Sequence, residues 1–248
     1  TLEIDRILAL AENAPDLNVP GSLSHKNPAF DFCLPQKLRI GMAKDEAFCF
    51  YYEDNFRLLQ EMGAELVEFS PVHDAHLPKD LDGILLYGGY PELNGEALER
   101  NESMKTEIAQ AINSGMPCMA ECGGFMYLHE QMEDMDGISR KTCGVIPGKC
   151  FRTPKLTRFG YITLTAGRSV FGQKAEEIGE IPAHEFHYFD SENCGNDFHA
   201  AKPLSKRGWD CIHSTDSLLA GYPHLYYYGN PGIPRAFLLK CMEYHKTG

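Results

Sequence analysis

The 248-residue sequence predicts an α/β fold, a mostly parallel sheet with helices on both faces, carrying a β-rich insertion. Three observations lead there. Short apolar runs bounded by glycine, such as Gly83-Ile84-Leu85-Leu86-Tyr87, read as strands buried on both faces. Stretches with helical periodicity alternate with these runs over short connections. From about Gly137 to Phe198 the periodicity gives way to turns and short strands.

The elements follow in order. Thr1 to about Leu17 reads as a short amphipathic helix with Ile4, Leu8, Leu10 and Ala11 as its apolar positions. Asn18 to Pro35 is rich in Pro, Gly, Ser and Asn and reads as a connector. Residues 1–36 are therefore expected to be connector and helix, and residues 37–248 the main domain. Leu38–Ala43 is a strand. Tyr52 to Met62 is a helix with Tyr52, Phe56 and Leu59 on one face, and Gly63 suits its C-cap. Glu65–Phe69 alternates like a strand, and Gly83–Tyr87 is a buried strand ending in Gly88-Gly89. A helix from about Ser103 to Asn113 precedes Gly115 and Pro117. Pro117–Ala120 is a short buried strand, and a helix from Phe125 to about Gln131 follows it. Phe159–Ala166 and Ala183–Phe189 are strands of the β-rich part, and Leu218–Tyr222 is a last core strand. Asn230-Pro231 opens a closing helix through about His245, with proline where a first helical turn tolerates it.

Composition narrows the function. Lys and Arg number 23 against 35 Asp and Glu, a formal charge of −12, which disfavours phosphate backbones and anionic membrane surfaces. No apolar run approaches the ~18–20 residues of a membrane span. Neither nucleic acid nor membrane is an expected partner. The nine cysteines include no C-x-x-C, and the spacings of Cys118 to Cys122 and Cys143 to Cys150 match no zinc ribbon, so no metal site is expected. Unpatterned thiols fit a reducing compartment, and no basic, apolar leader opens at Thr1. The expected location is the cytoplasm.

The sharpest chemical signal is Ala120-Glu121-Cys122-Gly123-Gly124 between a strand and a helix. A nucleophile on such a turn needs small residues two before and two after it, because the backbones crowd there. Ala120 and Gly124 meet that need. A thiol at a helix N-terminus also sees N–H groups that favour thiolate, and the Gly123 amide would face the same pocket. A buried structural cysteine beside a glycine turn is the competing reading. Gly88-Gly89-Tyr90-Pro91-Glu92 follows another buried strand, and loops at strand C-termini of a parallel sheet gather round one crevice. Gly89 then becomes a second oxyanion donor.

A base must come from ten histidines. His25, His73, His76 and His199 lie in polar or turn-rich stretches. His129 falls beyond the elbow helix's first turn, His245 is near the terminus, and His213 lies amid Asp210, Ser214 and Asp216. His184 and His187 invite a metal reading, yet strand positions three apart face opposite ways. His224 follows a core strand and emerges at the same edge as Cys122. Gly144–Cys150 resembles a phosphate loop only faintly, with three residues between its glycines and cysteine where Ser or Thr should be.

These residues resemble the cobyrinate a,c-diamide synthase family. The resemblance is carried by Lys44–Tyr52, Gly63–Leu66, Phe69-Ser70-Pro71, Gly88–Leu93, Ala120–Gly124, Met126-Tyr127-Leu128, His184–Tyr188 and Tyr222-x-His224-Leu225, from about Leu38 to the C-terminus. It implies a flavodoxin-like class I glutamine amidotransferase domain over residues 37–248, with residues 1–36 as the tail of an inter-domain connection. It implies Cys122 as nucleophile, His224 as base, and Gly88, Gly89 and Gly123 as the oxyanion hole. His184, Glu185, His187 and Tyr188 take a supporting or substrate-facing role. Implied partners are glutamine, a cobyrinate-type tetrapyrrole through the full-length enzyme, and an N-terminal ATP-binding domain. ATP and Mg2+ belong to that domain and no cofactor to this chain. The implied reaction is glutamine hydrolysis supplying ammonia for amidation of the cobyrinate a and c carboxylates. The competing readings are the same domain of a nickel-sirohydrochlorin a,c-diamide synthase, or a docking module with an inherited elbow. One position departs from many class I glutaminases, which place a carboxylate two residues after the histidine. Here it is Tyr226, leaving Glu121 or Glu185 to orient His224.

Overall fold

The computed structural model describes residues 2–16 and 32–246. Contacts divide the chain into two units, residues 1–31 and 32–248. In the first, helix α1 (Ile4–Glu12) stops short of Leu17, because the Asn13 side-chain amide donates to Ala9 O at 2.7 Å and Asn13 closes the helix. Residues 18–31 of the expected connector, and His25 with them, lie outside the described residues.

The second unit begins with β1 (Leu38–Ala43), α2 (Glu53–Glu61), β2 (Ala64–Phe69), β3 (Gly83–Leu86), α3 (Gly95–Arg100), α4 (Glu102–Asn113), β4 (Cys118–Glu121) and α5 (Gly123–Tyr127). It continues with β5 (His129–Glu133), β6 (Ser139–Lys141), β7 (Ile146–Arg152), β8 (Arg158–Ala166), α6 (Ala175–Ile178), β9 (Ile181–His187) and β10 (Phe189–Ser191). It closes with β11 (Phe198–Ala201), β12 (Gly208–Cys211), β13 (His213–Ser214), β14 (Leu218–Gly221), β15 (His224–Leu225) and α7 (Gly232–His245).

A six-stranded sheet has the order β13-β14-β4-β3-β1-β2, and every neighbouring pair is parallel except β13 with β14. Helices cover both of its faces. Gly83 on β3 faces α7 so closely that a Cβ would lie 2.6 Å from Cys241 Sγ. Ile84 and Leu86 face the other way, into a core with Met104, Ile108 and Ile112 of α4 and Phe125 of α5. Each such buried side chain contributes ~1.5–3 kcal/mol, so the alternation along β3 fixes which helix lies on which face. The β-rich part forms a four-stranded sheet, β10-β7-β5-β6, and a five-stranded antiparallel sheet, β12-β11-β8-β9-β15. Among the described residues, no helix is long and apolar enough to cross a membrane.

Two expected elements are corrected. The helix predicted to reach Gln131 ends at Tyr127, and His129 instead begins β5. His129 is fully buried, its Nδ1 donating to Phe125 O at 2.9 Å while Ser191 Oγ bonds its Nε2 at 2.7 Å. That anchor and the ladder between β5 and β7 outweigh local helix propensity. The single strand predicted over Ala183–Phe189 is split at Tyr188. Its first part, β9, pairs with β8, whereas β10 pairs with β7 in the other sheet. The Gly144–Cys150 run lies mostly in strand β7, where the amides of Gly148 and Lys149 donate to the carboxylates of Glu130 and Glu192. Those donors are committed, so the run does not fit a triphosphate.

Candidate active site

The site forms where β4 turns into α5. Cys122 sits between them at φ 49°, ψ −103°, a backbone conformation costly for a residue with a side chain by ~1–3 kcal/mol. Crowding forces the glycines that follow. A Cβ on Gly124 would lie 2.0 Å from Leu86 O, and one on Gly123 would lie 3.0 Å from Gly89 N. The turn is pinned by Cys122 N donating to Gly221 O at 2.8 Å and Gly124 N donating to Tyr87 O at 3.0 Å. The helix is only five residues long, so the elbow's geometry matters here more than a helix dipole.

The loop after β3 closes the next side. Gly89 takes φ +155°, and a Cβ there would lie 2.2 Å from Ala47 O. Gly88 leaves room for the His224 ring, since a Cβ would meet its Cε1 at 2.6 Å. Phe50 N donates to Gly88 O and Tyr90 N to Ala47 O, which orients the Gly89 peptide between them. As the first residue of α5, Gly123 has an N–H outside the helix's own ladder.

His224 arrives from β15, paired across the ladder with His184 of β9. Its ring is buried and meets Phe50 edge-on, centroids 4.6 Å apart. Its Nδ1 lies 3.7 Å from Glu121 Oε2, a charge contact longer than a good hydrogen bond. Burial alone would favour the neutral ring. Hydrogen bonding and charge from Cys122 and Glu121 outweigh it and raise the imidazole to about 10. Burial pushes the Glu121 carboxyl up, while His224 pulls it down. Of the two carboxylates the sequence leaves open, Glu121 is the one that touches His224.

The crevice holds about 290 Å³ and is lined by Phe50, Gly89, Tyr90, Cys122, His184, Phe186 and His224. Cys122, Gly89, His184 and His224 thus come together, with Gly88 and Gly123 behind them. Three other expected residues do not line it. Glu185 and His187 lie on the inner face of β9, buried, with Glu185 Oε1 3.9 Å from His187 Nε2 and the His187 ring stacked on Tyr222 at 3.9 Å. Tyr188 stands at the strand switch and packs its ring edge-on against Phe186. Period-two alternation is the cause for Glu185 and His187, which face the core while His184 and Phe186 meet the crevice; Tyr188 lies past the end of β9. Phe50, Tyr90 and Phe186 carry no role in the sequence reading, although each falls within a segment that carries the resemblance. Carboxylates are absent from the lining, so the site has a thiol, two imidazoles, the Tyr90 phenol and backbone amides to work with. That set suits acyl transfer from an amide.

Other histidines have different surroundings. His73 and His76 are exposed and pair with Glu46 and Glu107, His199 pairs with Asp210, and His245 pairs with Asp82. His213, amid polar neighbours in sequence, is half-buried with its Nε2 bonded to Asn193 O. Among the described residues no group of three or more His, Cys, Asp or Glu side chains is arranged to hold a metal ion.

A known family matches residues 39–231, described as the CobB/CobQ-like glutamine amidotransferase domain. Cobyrinate a,c-diamide synthase of Caldanaerobacter subterraneus subsp. tengcongensis is 35% identical over 251 residues, covering 98% of this chain and 55% of that protein. Cobyrinate a,c-diamide synthase of Dehalococcoides mccartyi is 37% identical over 246 residues, covering 96% of this chain and 51% of that protein. The chain therefore spans about half the length of the curated relatives it matches. Among solved structures, a crystal structure of a glutamine amidotransferase superposes with a TM-score of 0.57 at 16% identity, covering 82% of this chain and 98% of the other. At that identity the likeness shows the fold, which is the class I glutamine amidotransferase α/β fold.

Proposed function

The chain belongs to the CobB/CobQ-like glutamine amidotransferase domain family, and from that premise we propose that it is the glutaminase part of an ATP-dependent amidoligase acting on the a and c carboxylates of cobyrinate. The observation that carries the reading is the pairing of a strained elbow cysteine with a buried imidazole held in its charged form by Cys122 and Glu121.

In this reading the Cys122 thiolate attacks the side-chain amide carbon of glutamine. A C–S bond forms, and the carbonyl π pair moves onto oxygen. The N–H groups of Gly89 and Gly123 hold that oxyanion, and one such donor is worth about 2.7–4 kcal/mol. The oxyanion pair returns to carbon, the C–N bond breaks, and the departing nitrogen takes a proton from the His224 imidazolium to leave as ammonia. Water then attacks the γ-glutamyl thioester, giving up a proton to neutral His224. Collapse releases glutamate and restores the thiolate–imidazolium pair. Glu121 favours the charged ring and fixes its orientation. The carboxylate that accepts ammonia is activated elsewhere in the longer protein, where ATP, Mg2+ and the tetrapyrrole belong.

The test uses the longer protein with cobyrinate as acceptor. His224→Ala is expected to abolish amide formation from glutamine while amide formation from an ammonium salt continues. Equal loss from both nitrogen sources would overturn the role given to His224. Amidation of a different tetrapyrrole, with none on cobyrinate, would overturn the substrate.

A further inference from the structure

The loop between β1 and α2 runs beside the Gly88-Gly89 turn and holds it at both ends. Phe50 N donates to Gly88 O at 3.0 Å, and Tyr90 N donates to Ala47 O at 2.9 Å. Apart from that bridge at Phe50 the loop has no helix or strand of its own, and one carboxylate gathers it. Asp45 Oδ1 accepts from the amides of Ala47 and Phe48 at 2.8 and 3.0 Å. Its Oδ2 accepts from Ser70 Oγ at 2.7 Å and from Val72 N at 3.0 Å. We propose that Asp45 is a positioning residue for the oxyanion hole, setting the Gly89 peptide through Ala47 without touching substrate. This deepens the glutaminase reading above and rests on it.

A glycine restrains its own peptide weakly, so the aim of the Gly89 N–H is set by what surrounds it. One wall is the elbow, since Gly89 N lies 3.0 Å from where a Cβ of Gly123 would stand. The other is the Asp45 loop: a Cβ on Gly89 would meet Ala47 O at 2.2 Å and Cys49 N at 2.9 Å. That contact leaves no slack. Movement of Ala47 towards the turn displaces Gly89, and movement away breaks the bond from Tyr90. Asp45 is what fixes Ala47. A carboxylate only accepts hydrogen bonds, and its two oxygens here take four donors, two from its own loop and two from the loop after β2. The second loop is itself braced, with Ser70 N donating to Asp74 Oδ2 and His73 N donating to Ser70 Oγ. Phe48, fully buried with its ring 5.4 Å from that of Tyr127, seats the first loop against α5. An asparagine cannot replace this acceptor. Either placement of its amide sets an NH2 against a backbone N–H, that of Val72 or those of Ala47 and Phe48.

The experiment compares two reactions of Cys122 in Asp45→Asn and Asp45→Ala of the longer protein. Glutamate release passes through an oxyanion. Alkylation by iodoacetamide does not, because the thiolate displaces iodide from a saturated carbon. The proposal predicts a fall in kcat for glutamate release of on the order of 10-fold in Asp45→Asn. In Asp45→Ala the fall approaches the ~10²–10³-fold that loss of one oxyanion donor costs. KM for glutamine should stay within about two-fold, as for an interaction made only in the transition state. Alkylation of the peptide carrying Cys122 should keep its parent rate in both variants. Amide formation from an ammonium salt verifies folding, and the near-isosteric Asp45→Asn carries the test if Asp45→Ala does not fold. An unchanged kcat overturns the proposal. So does a parallel fall in alkylation, which would make Asp45 a support of the whole crevice. Glutamate release that survives Cys122→Ala would instead sink the glutaminase reading itself.

Discussion

The parallel sheet and the five-stranded antiparallel sheet meet at one crevice and contribute to it by different means. The parallel sheet supplies backbone: the loops after β3 and β4 bring Gly89, Gly123 and a cysteine at φ 49° to one point. The antiparallel sheet supplies side chains: His184 and Phe186 from one face of β9, and His224 from β15. Backbone features of this kind are forced by close approach, and only a few residue types satisfy them. Side-chain features depend on register, and one residue's slip would send Glu185 to the crevice and His184 to the core.

The largest way to break this division is to remove the proposed nucleophile. Cys122→Ala should cut glutamate release by on the order of 10⁴-fold or more, with stability little harmed, checked by a glutamate assay beside denaturant unfolding. Gly124→Ala attacks the backbone side. Its Cβ would be driven to 2.0 Å from Leu86 O, and overpacking of that kind costs ~3 kcal/mol or more, read as a lower denaturation midpoint.

The fold was legible where periodicity and glycine carried it. Leu38–Ala43 reads as a strand and is one, and Gly63 caps α2 at φ +104°, as a left-handed C-cap requires. The elbow at Cys122 was legible for the same reason. The β-rich half was not, because its strands owe their limits to partners distant in sequence. His129 is taken from a helix by Ser191, 62 residues away, and the chain changes sheets at Tyr188 with no local signal. The sequence likewise left Glu121 and Glu185 as equals beside His224. Only β4 lying next to β14, which leads to β15, decides between them.

A third prediction sharpens that choice. Glu121→Gln should pull the His224 pKa down from about 10, measured by titrating the ring resonances, whereas Glu185→Gln should move it little. The sign for stability follows from the raised value. The contribution of charged His224 is complete below about pH 6.5 and is lost as pH rises through about 10. Glu121→Gln should therefore destabilise the protein near neutral pH and differ least from the parent at the alkaline end.

The smallest effect belongs to the inner face of β9. Both Glu185 oxygens and His187 Nε2 are buried without a hydrogen bond closer than their own 3.9 Å contact, and Arg158 Nη1 and Trp209 Nε1 are also unpartnered. Glu185→Gln should shift unfolding free energy by ~1–3 kcal/mol while changing turnover per folded molecule far less than Cys122→Ala does. A fall in turnover matching that of Cys122→Ala would place Glu185 in the chemistry and dissolve the contrast between the two faces.

Among the nine thiols, burial raises those of Cys118, Cys143 and Cys241 well above the ordinary range and pushes Cys150 up to about 12. Only Cys122 lines the crevice beside His224. The most direct measurement is therefore acid quenching of the protein during glutamine turnover, followed by peptide mapping by mass spectrometry. The prediction is a γ-glutamyl thioester on the peptide carrying Cys122, absent in Cys122→Ala. A glutamyl adduct on Cys118 or Cys143, or glutamate release that persists in Cys122→Ala, would contradict it.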